Sequence, residues 1–395
     1  YGRWNDATEP NQFGTHEFMN FCRLIGSEPY LTANVGTGSP QEFHYWMEYC
    51  NAPINSTTLA DQRAENGSPE PFGVKFWEIG NETWGFGGTN TAEGYADTYR
   101  RFVTMMPGYD VPLFTIPSGP YDDDRDWTRR FFEQNQRAKP TTIGGWSVHY
   151  YFESGTESLN FTLKDWYSML HQAKHLEEVI EGQWGVLSEF DPDRRIKLII
   201  NEWGAQHLPG SEASPKHLYG QVPTMRDAVI DAFSLDIFNR HADKVHMANI
   251  CLLTNALQGL FLTDGDKFVA TPVFYIYELY AVHQNAQGLD VDISSPQVEN
   301  LPALAGSASV KGNTIALTVT NLHATENMEA EICLRGANIR EARLTTLSHE
   351  DIRANNTFSH PFEVIPKVSS LTANTDALIV RFEPASVNRI DIEIG

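Results

Sequence analysis

Cysteine is scarce in this 395-residue chain. The four cysteines, Cys22, Cys50, Cys251 and Cys333, are scattered with no C-x-x-C pair, which excludes the common zinc and dithiol motifs. Cys22, Cys50 and Cys251 fall within apolar patterns that predict buried thiols. No run of 18 apolar residues occurs, so no membrane-spanning helix is expected. The first residues show no basic stretch leading into an apolar one, so no signal peptide is read, and the compartment stays open between cytoplasmic and secreted. Positive charge is also in short supply: 29 Lys and Arg stand against 51 Asp and Glu, a net charge of −22. A surface this acidic repels nucleic acid and anionic lipid but leaves a neutral ligand such as a sugar unaffected. No H-E-x-x-H or comparable ligand spacing appears, so neither a metal nor a cofactor is expected.

What is present is ordinary globular material, 41% hydrophobic and 20% charged, long enough for one large domain and a smaller one. Segments of helical period run from Thr15 to Gly26, from Ser39 past Cys50, from Ala92 to Met106, from Lys164 to Gly182 and from Met225 to His241. A further helix is expected in the acidic stretch that opens at Asp122 to Asp124, and the polar stretch from Asn51 to Pro71 reads as a loop. Apolar runs of strand length lie between them: Pro29 to Asn34, Val74 to Ile79, Leu113 to Ile116, Trp146 to Tyr151, Ile196 to Ile200 and Val245 to Thr254. Strand–helix alternation implies parallel βα units. Polar residues gather where these strands end: Asn34, Glu82, His149 with Tyr151, Glu202 and Asn255. That is the arrangement of an α/β (β/α)8 TIM barrel, whose chemistry sits at the C-terminal ends of its strands. Only six barrel strands are legible, so the first two are expected to precede Tyr1. After residue 285 short alternating strands take over, including Ile315 to Thr320, Glu329 to Leu334 and Ala377 to Phe382. The expected division is therefore 1–284, a barrel incomplete at its N-terminal side, and 285–395, a β-sandwich of jelly-roll type.

Two words carry the chemistry, Gly80-Asn81-Glu82 and Asn201-Glu202-Trp203. Each sets a glutamate directly after a buried-strand pattern. A retaining glycosidase needs such a pair, one carboxyl as acid/base and the other as nucleophile, about 5–5.5 Å apart.

These words stand in a longer series: Asn11-Gln12-Phe13-Gly14-Thr15-His16-Glu17-Phe18, Asn34-Val35-Gly36-Thr37-Gly38, Phe76-Trp77-Glu78-Ile79-Gly80-Asn81-Glu82, Asn201-Glu202-Trp203-Gly204 and Leu262-Thr263-Asp264-Gly265. In that order, over nearly the whole chain, they resemble the α-L-arabinofuranosidases of glycoside hydrolase family 51. The resemblance implies that Glu82 is the general acid/base and Glu202 the nucleophile. It implies that Asn81 bonds the sugar 2-hydroxyl, that Tyr151 holds the nucleophile, and that Trp4 borders the sugar pocket. His149 would orient its neighbours. Asn34, Trp84 and Trp203 are further candidate substrate contacts. The implied partner is an arabinose-containing oligo- or polysaccharide. A homo-oligomer, and a further N-terminal segment or second chain completing the barrel, are both compatible with it.

Two positions depart from the family pattern. Gln206 stands where many relatives carry an aromatic pocket wall, and Asn201 replaces an acidic residue before the nucleophile. The Asn-Glu pair also occurs in endo-acting members of the clan. An endo-glucanase or xylanase, or a non-catalytic carbohydrate-binding relative, therefore stands beside the exo-acting arabinofuranosidase.

Overall fold

The computed structural model describes residues 10–137, 142–212, 219–372 and 377–395. Six strands carry its first part: β1 (Tyr30–Ala33), β2 (Phe76–Ile79), β3 (Phe114–Pro117), β4 (Gly145–Glu157), β5 (Lys197–Leu208) and β6 (Val245–Ile250). They pair in parallel as two triplets, β1-β2-β3 and β4-β5-β6. The triplets meet through a parallel bridge from Tyr121 to His149 and a 2.9 Å bond from the Gly144 amide to the Thr115 carbonyl. A helix follows each strand, Pro40–Asn51, Ala92–Val103, Arg125–Gln136, Leu163–Phe190, Met225–Arg240 and Pro272–Tyr280 in turn. This is the βα succession of a TIM barrel. Among the described residues the outer edges of β1 and β6 pair with no further strand, so the curved sheet is not closed on itself.

The helix starts follow from their caps. Ser39, Thr162 and Thr224 each form a capping box with an acidic residue three positions on, and Asp124 caps the helix after the acidic loop. Such caps satisfy backbone amides that otherwise lack partners at a helix start. Three expectations need correction. The polar stretch from Asn51 to Pro71 contains a helix, Thr58–Glu65, capped by Thr57. Its Arg63 is fully buried and donates to the carbonyls of Tyr49, Ala52, Ser68 and Pro69. Here a charged residue takes the anchoring role that an apolar stripe plays in other helices, so the hydrophobic pattern was silent. The helix expected to end at Gly182 runs to Phe190, because Trp184, Val186 and Leu187 continue its buried face. The strand expected to stop at Ile200 continues through Glu202 to Leu208.

The C-terminal part is a β domain. A six-stranded antiparallel sheet has the order Lys367–Leu371, Ile339–Leu347, Ser386–Ile394, Thr314–Asn321, Leu304–Lys311, Gln287–Leu289. A second pair, Met328–Cys333 with Ala377–Phe382, packs Leu378, Val380 and Phe382 against Ile315, Leu317, Ile390 and Ile392 of that sheet. The sheet's other face lies on the helix Met225–Arg240. There the buried Asp236 accepts hydrogen bonds from Ser307, Thr318 and Thr320. Trp166 of the helix after β4 donates to the Leu322 carbonyl at 3.2 Å. A cavity of about 510 Å³ inside the β domain, lined by Leu304, Ile315, Leu317, Ile332 and Phe382, contains none of the strand-end glutamates.

Candidate active site

β2 ends in a turn that only glycine accommodates. Gly80 has φ 89°, and its amide donates to the Ala33 carbonyl of β1 at 3.0 Å. A Cβ there would stand 2.7 Å from Val35 Cγ2 and 2.8 Å from Thr83 Cγ2. Two residues on, Glu82 is itself left-handed at φ 45°, and its carbonyl accepts from the amides of Gly85 and Gly87. Left-handed backbone at a non-glycine residue costs energy and persists where surrounding contacts impose it, often at functional sites. The turn carries Glu82 to the mouth of the barrel, over β4.

On β4, residues two apart face the same side, so His149 and Tyr151 both point inward. On β5 the ladder slips. Val148 pairs with Ile200 and His149 with Glu202, leaving Asn201 as an extra residue. This β-bulge aims Glu202 at the same spot. The Tyr151 hydroxyl donates to Glu202 Oε2 at 2.7 Å. His149 Nδ1 lies 3.1 Å from Glu82 Oε1 and 3.5 Å from Glu202 Oε2. One atom from each of Glu82, His149 and Glu202 falls within 4.8 Å of the others.

Burial disfavours a charged ring at His149, but the hydrogen bond to Glu82 and the charges of Glu202, Glu78 and Glu82 outweigh it and hold the imidazole above its ordinary value. Burial, with Cys251 and Glu202 alongside, keeps the Tyr151 phenol protonated, so it acts as a donor. The Cys251 thiol is pushed up to about 12 by burial and the neighbouring Glu202. Glu82, His149 and Glu202 also converge as metal ligands would. With Nδ1 3.1 Å from one carboxyl and 3.5 Å from the other, the same convergence allows the ring to share a proton with either.

Asn81 is exposed beside Glu82. Trp84 is half-buried, its ring tilted against Tyr121 at 5.7 Å between centroids. Asn34 is engaged in its own loop: its amide oxygen accepts from the backbone of Gly36 and Thr37 and its nitrogen donates to Thr37. Trp203 does not reach the mouth. It is fully buried with its ring on Phe238 at 5.1 Å, and a ring with no exposed face cannot stack on a sugar, so it is a packing residue. Trp4 lies outside the described residues.

Sequence reasoning passed over Glu78. This carboxyl lies in the middle of β2, whose residues are all buried. It accepts from Thr32 Oγ1 at 3.0 Å and from Asn201 Nδ2 at 2.9 Å. Burial pushes it up to about 7, against the pull of His149 and of those hydrogen bonds. A signal was available, since a carboxyl inside an otherwise apolar strand is costly unless it has partners.

Residues 1–157 match the family model described as "Alpha-L-arabinofuranosidase 1 domain", and residues 201–386 match "Alpha-L-arabinofuranosidase C-terminal domain". The chain is 32% identical over 405 residues to an intracellular exo-α-L-arabinofuranosidase of Bacteroides ovatus, an alignment spanning 99% of this chain and 77% of the relative. Among solved structures, the GH51 arabinofuranosidase of Xanthomonas axonopodis pv. citri superposes with a TM-score of 0.92 at 32% identity, over 99% of this chain and 80% of that one. The arabinose complex of the Thermotoga maritima α-L-arabinofuranosidase gives a TM-score of 0.85 at 28% identity, over 98% and 80%.

Proposed function

The chain belongs to the α-L-arabinofuranosidases of glycoside hydrolase family 51, and on that premise we propose that it removes terminal α-L-arabinofuranosyl residues from arabinose-containing glycans by double displacement. Glu202 is the nucleophile in this reading and Glu82 the general acid/base. One observation carries it: an oxygen of each carboxyl lies within 4.8 Å of the other, around a single imidazole nitrogen. A retaining pair stands about 5–5.5 Å apart, whereas an inverting pair needs about 6.5–9.5 Å to admit a water.

The steps follow from the contacts. Tyr151 stabilises the anionic form of Glu202 and points its free oxygen at the anomeric carbon. Glu82 gives its proton to the departing glycosidic oxygen as the Glu202–sugar ester forms. It then takes a proton from the water that hydrolyses the ester, which restores both groups. His149, within reach of both carboxyls, faces whichever of the two carries the negative charge at each stage, Glu202 before the ester forms and Glu82 after it. Asn81 is assigned to the sugar 2-hydroxyl. Residues 1–284 are taken as the catalytic unit and 285–395 as the β domain, because Gln287–Leu289 is already bonded into the C-terminal sheet.

The test is release of p-nitrophenol from p-nitrophenyl α-L-arabinofuranoside, with Glu82→Ala and Glu202→Ala alongside. The expected result is activity in the wild type, loss in Glu202→Ala, and partial rescue of Glu82→Ala by azide. Release from xylan or β-glucan polymers in place of the arabinoside would overturn the reading in favour of an endo-acting enzyme. Sugar binding with no release from any of them would make the protein a carbohydrate-binding relative.

A further inference from the structure

The bulge that aims Glu202 is tied across the inside of the barrel. Asn201 is unmatched in the ladder with β4 and again in the ladder with β6, where Ile200 pairs with Ala248 and Trp203 with Ile250. Its side chain turns inward. Its nitrogen donates to Glu78 Oε1 at 2.9 Å, and its oxygen accepts from Asn249 Nδ2 of β6 at 3.1 Å. Glu78 in turn accepts at Oε2 from Thr32, its direct neighbour on β1. β2 and β5 belong to different triplets and do not pair with each other, so their backbones are related only through β3 and β4. The side-chain chain Thr32–Glu78–Asn201–Asn249 crosses the lumen beneath the two strand-end glutamates and joins β1, β2, β5 and β6. A bulge re-aims the residue it precedes, and a buried carboxyl with two donors holds its geometry more tightly than a neutral acceptor would.

We propose that Glu78 and Asn201 are positioning residues: their hydrogen bond across the barrel pins the β5 bulge and thereby sets where the Glu202 carboxylate stands relative to Glu82. The inference rests on the reading of Glu202 as nucleophile. The titratable groups facing Glu78 are Tyr30 from β1, Tyr95 from the helix Ala92–Val103 and His149 from β4. Burial holds both tyrosines neutral, so His149 is the group that feels a change of charge at Glu78.

The experiment is steady-state kinetics on p-nitrophenyl α-L-arabinofuranoside across pH for Asn201→Ala, Glu78→Ala, Glu78→Gln and the Glu78→Ala/Asn201→Ala double variant, each checked for cooperative thermal unfolding. Misplacing a reacting group by about 1 Å costs roughly 100-fold, so kcat should fall by that order in both alanine variants with KM little changed. The double variant should be no worse than either single one, since the two act as a unit. Glu78→Gln keeps an acceptor for Asn201 and should recover kcat to within about tenfold of wild type. It lacks the charge that helps keep His149 protonated, so its alkaline limb should move to lower pH. Asn201→Ala should leave that limb closer to the wild-type position. Should Glu78→Ala not unfold cooperatively, Asn201→Ala and Thr32→Val decide, the latter with a smaller fall in kcat. If folded variants keep kcat and the pH profile while Glu202→Ala is inactive, the positioning role is wrong and the nucleophile assignment stands. Full activity in Glu202→Ala would instead remove the premise.

Discussion

The Tyr151 hydroxyl and the Glu202 carboxylate are joined by a 2.7 Å hydrogen bond that links β4 to β5. The donor is a phenol that burial keeps protonated, so the bond is charge-assisted and directional. A hydrogen bond to a charged group is worth about 1.5–3 kcal/mol. Tyr151→Phe removes the donor and keeps the ring. We expect kcat to fall by about 10- to 100-fold, with thermal stability nearly unchanged. A variant with wild-type kcat would show that Glu202 needs no such partner.

The imidazole of His149 makes a pH-dependent contribution to stability. Its folded value lies above the ordinary 6.5, because the bond to Glu82 and the surrounding carboxylates outweigh burial. Such a group adds stability that is complete below the unfolded value and is lost as pH rises through the folded one. The stability advantage of wild type over His149→Gln should therefore shrink between about pH 5.5 and about pH 8.5. Denaturant titrations of both proteins at the two pH values measure it, and an advantage that grows with pH would contradict this account.

Asp236 carries linkage of the same sense, through a carboxyl and at lower pH. It is fully buried between the helix Met225–Arg240 and the β sheet, and burial raises its carboxyl from 3.8 to about 6 despite the hydroxyls of Thr318 and Ser307. The folded state then holds a proton that the unfolded chain has released. Stability is complete below about pH 4 and declines by roughly 3 kcal/mol as pH climbs through about 6. In Asp236→Asn that decline should be absent. Parallel unfolding curves for the two proteins over this range would refute it.

Gly80→Ala tests the turn before Glu82. The substituted residue must hold φ 89° with its Cβ 2.7 Å from Val35 and 2.8 Å from Thr83. Left-handed backbone and overpacking together cost about 2–5 kcal/mol. We expect a loss of that size in unfolding free energy, and a fall in kcat because Glu82 is carried by the same turn. A stable, fully active Gly80→Ala would mean that the loop relaxes freely.

Much of the barrel was legible because period and capping are local. The alternation of apolar strands with amphipathic helices, the helix start at Ser39, and the six parallel strands could be read along the chain. The helix Thr58–Glu65 could not, because its anchor is a buried arginine whose partners are four carbonyls. The outer limit of β5 escaped for a related reason. Glu202 and Gly204 look like the close of a strand, yet the ladder with β4 continues past them. Trp203 looked like a sugar platform from its neighbours alone. Which face a strand residue takes after a bulge is a matter of register, and register is set by the adjoining strands.

The sequence by itself determined the strand-and-helix order, the two glutamates and the family to which the chain belongs, since each is written in contiguous words and periodic patterns. The resemblance already pointed to Tyr151 beside the nucleophile; only the tertiary structure decided that His149 stands between the two carboxyls and that Asn201 donates to Glu78, 123 positions away, inside the barrel. Those relationships depend on strand register and on packing across the lumen. Neither is encoded at any one stretch of chain.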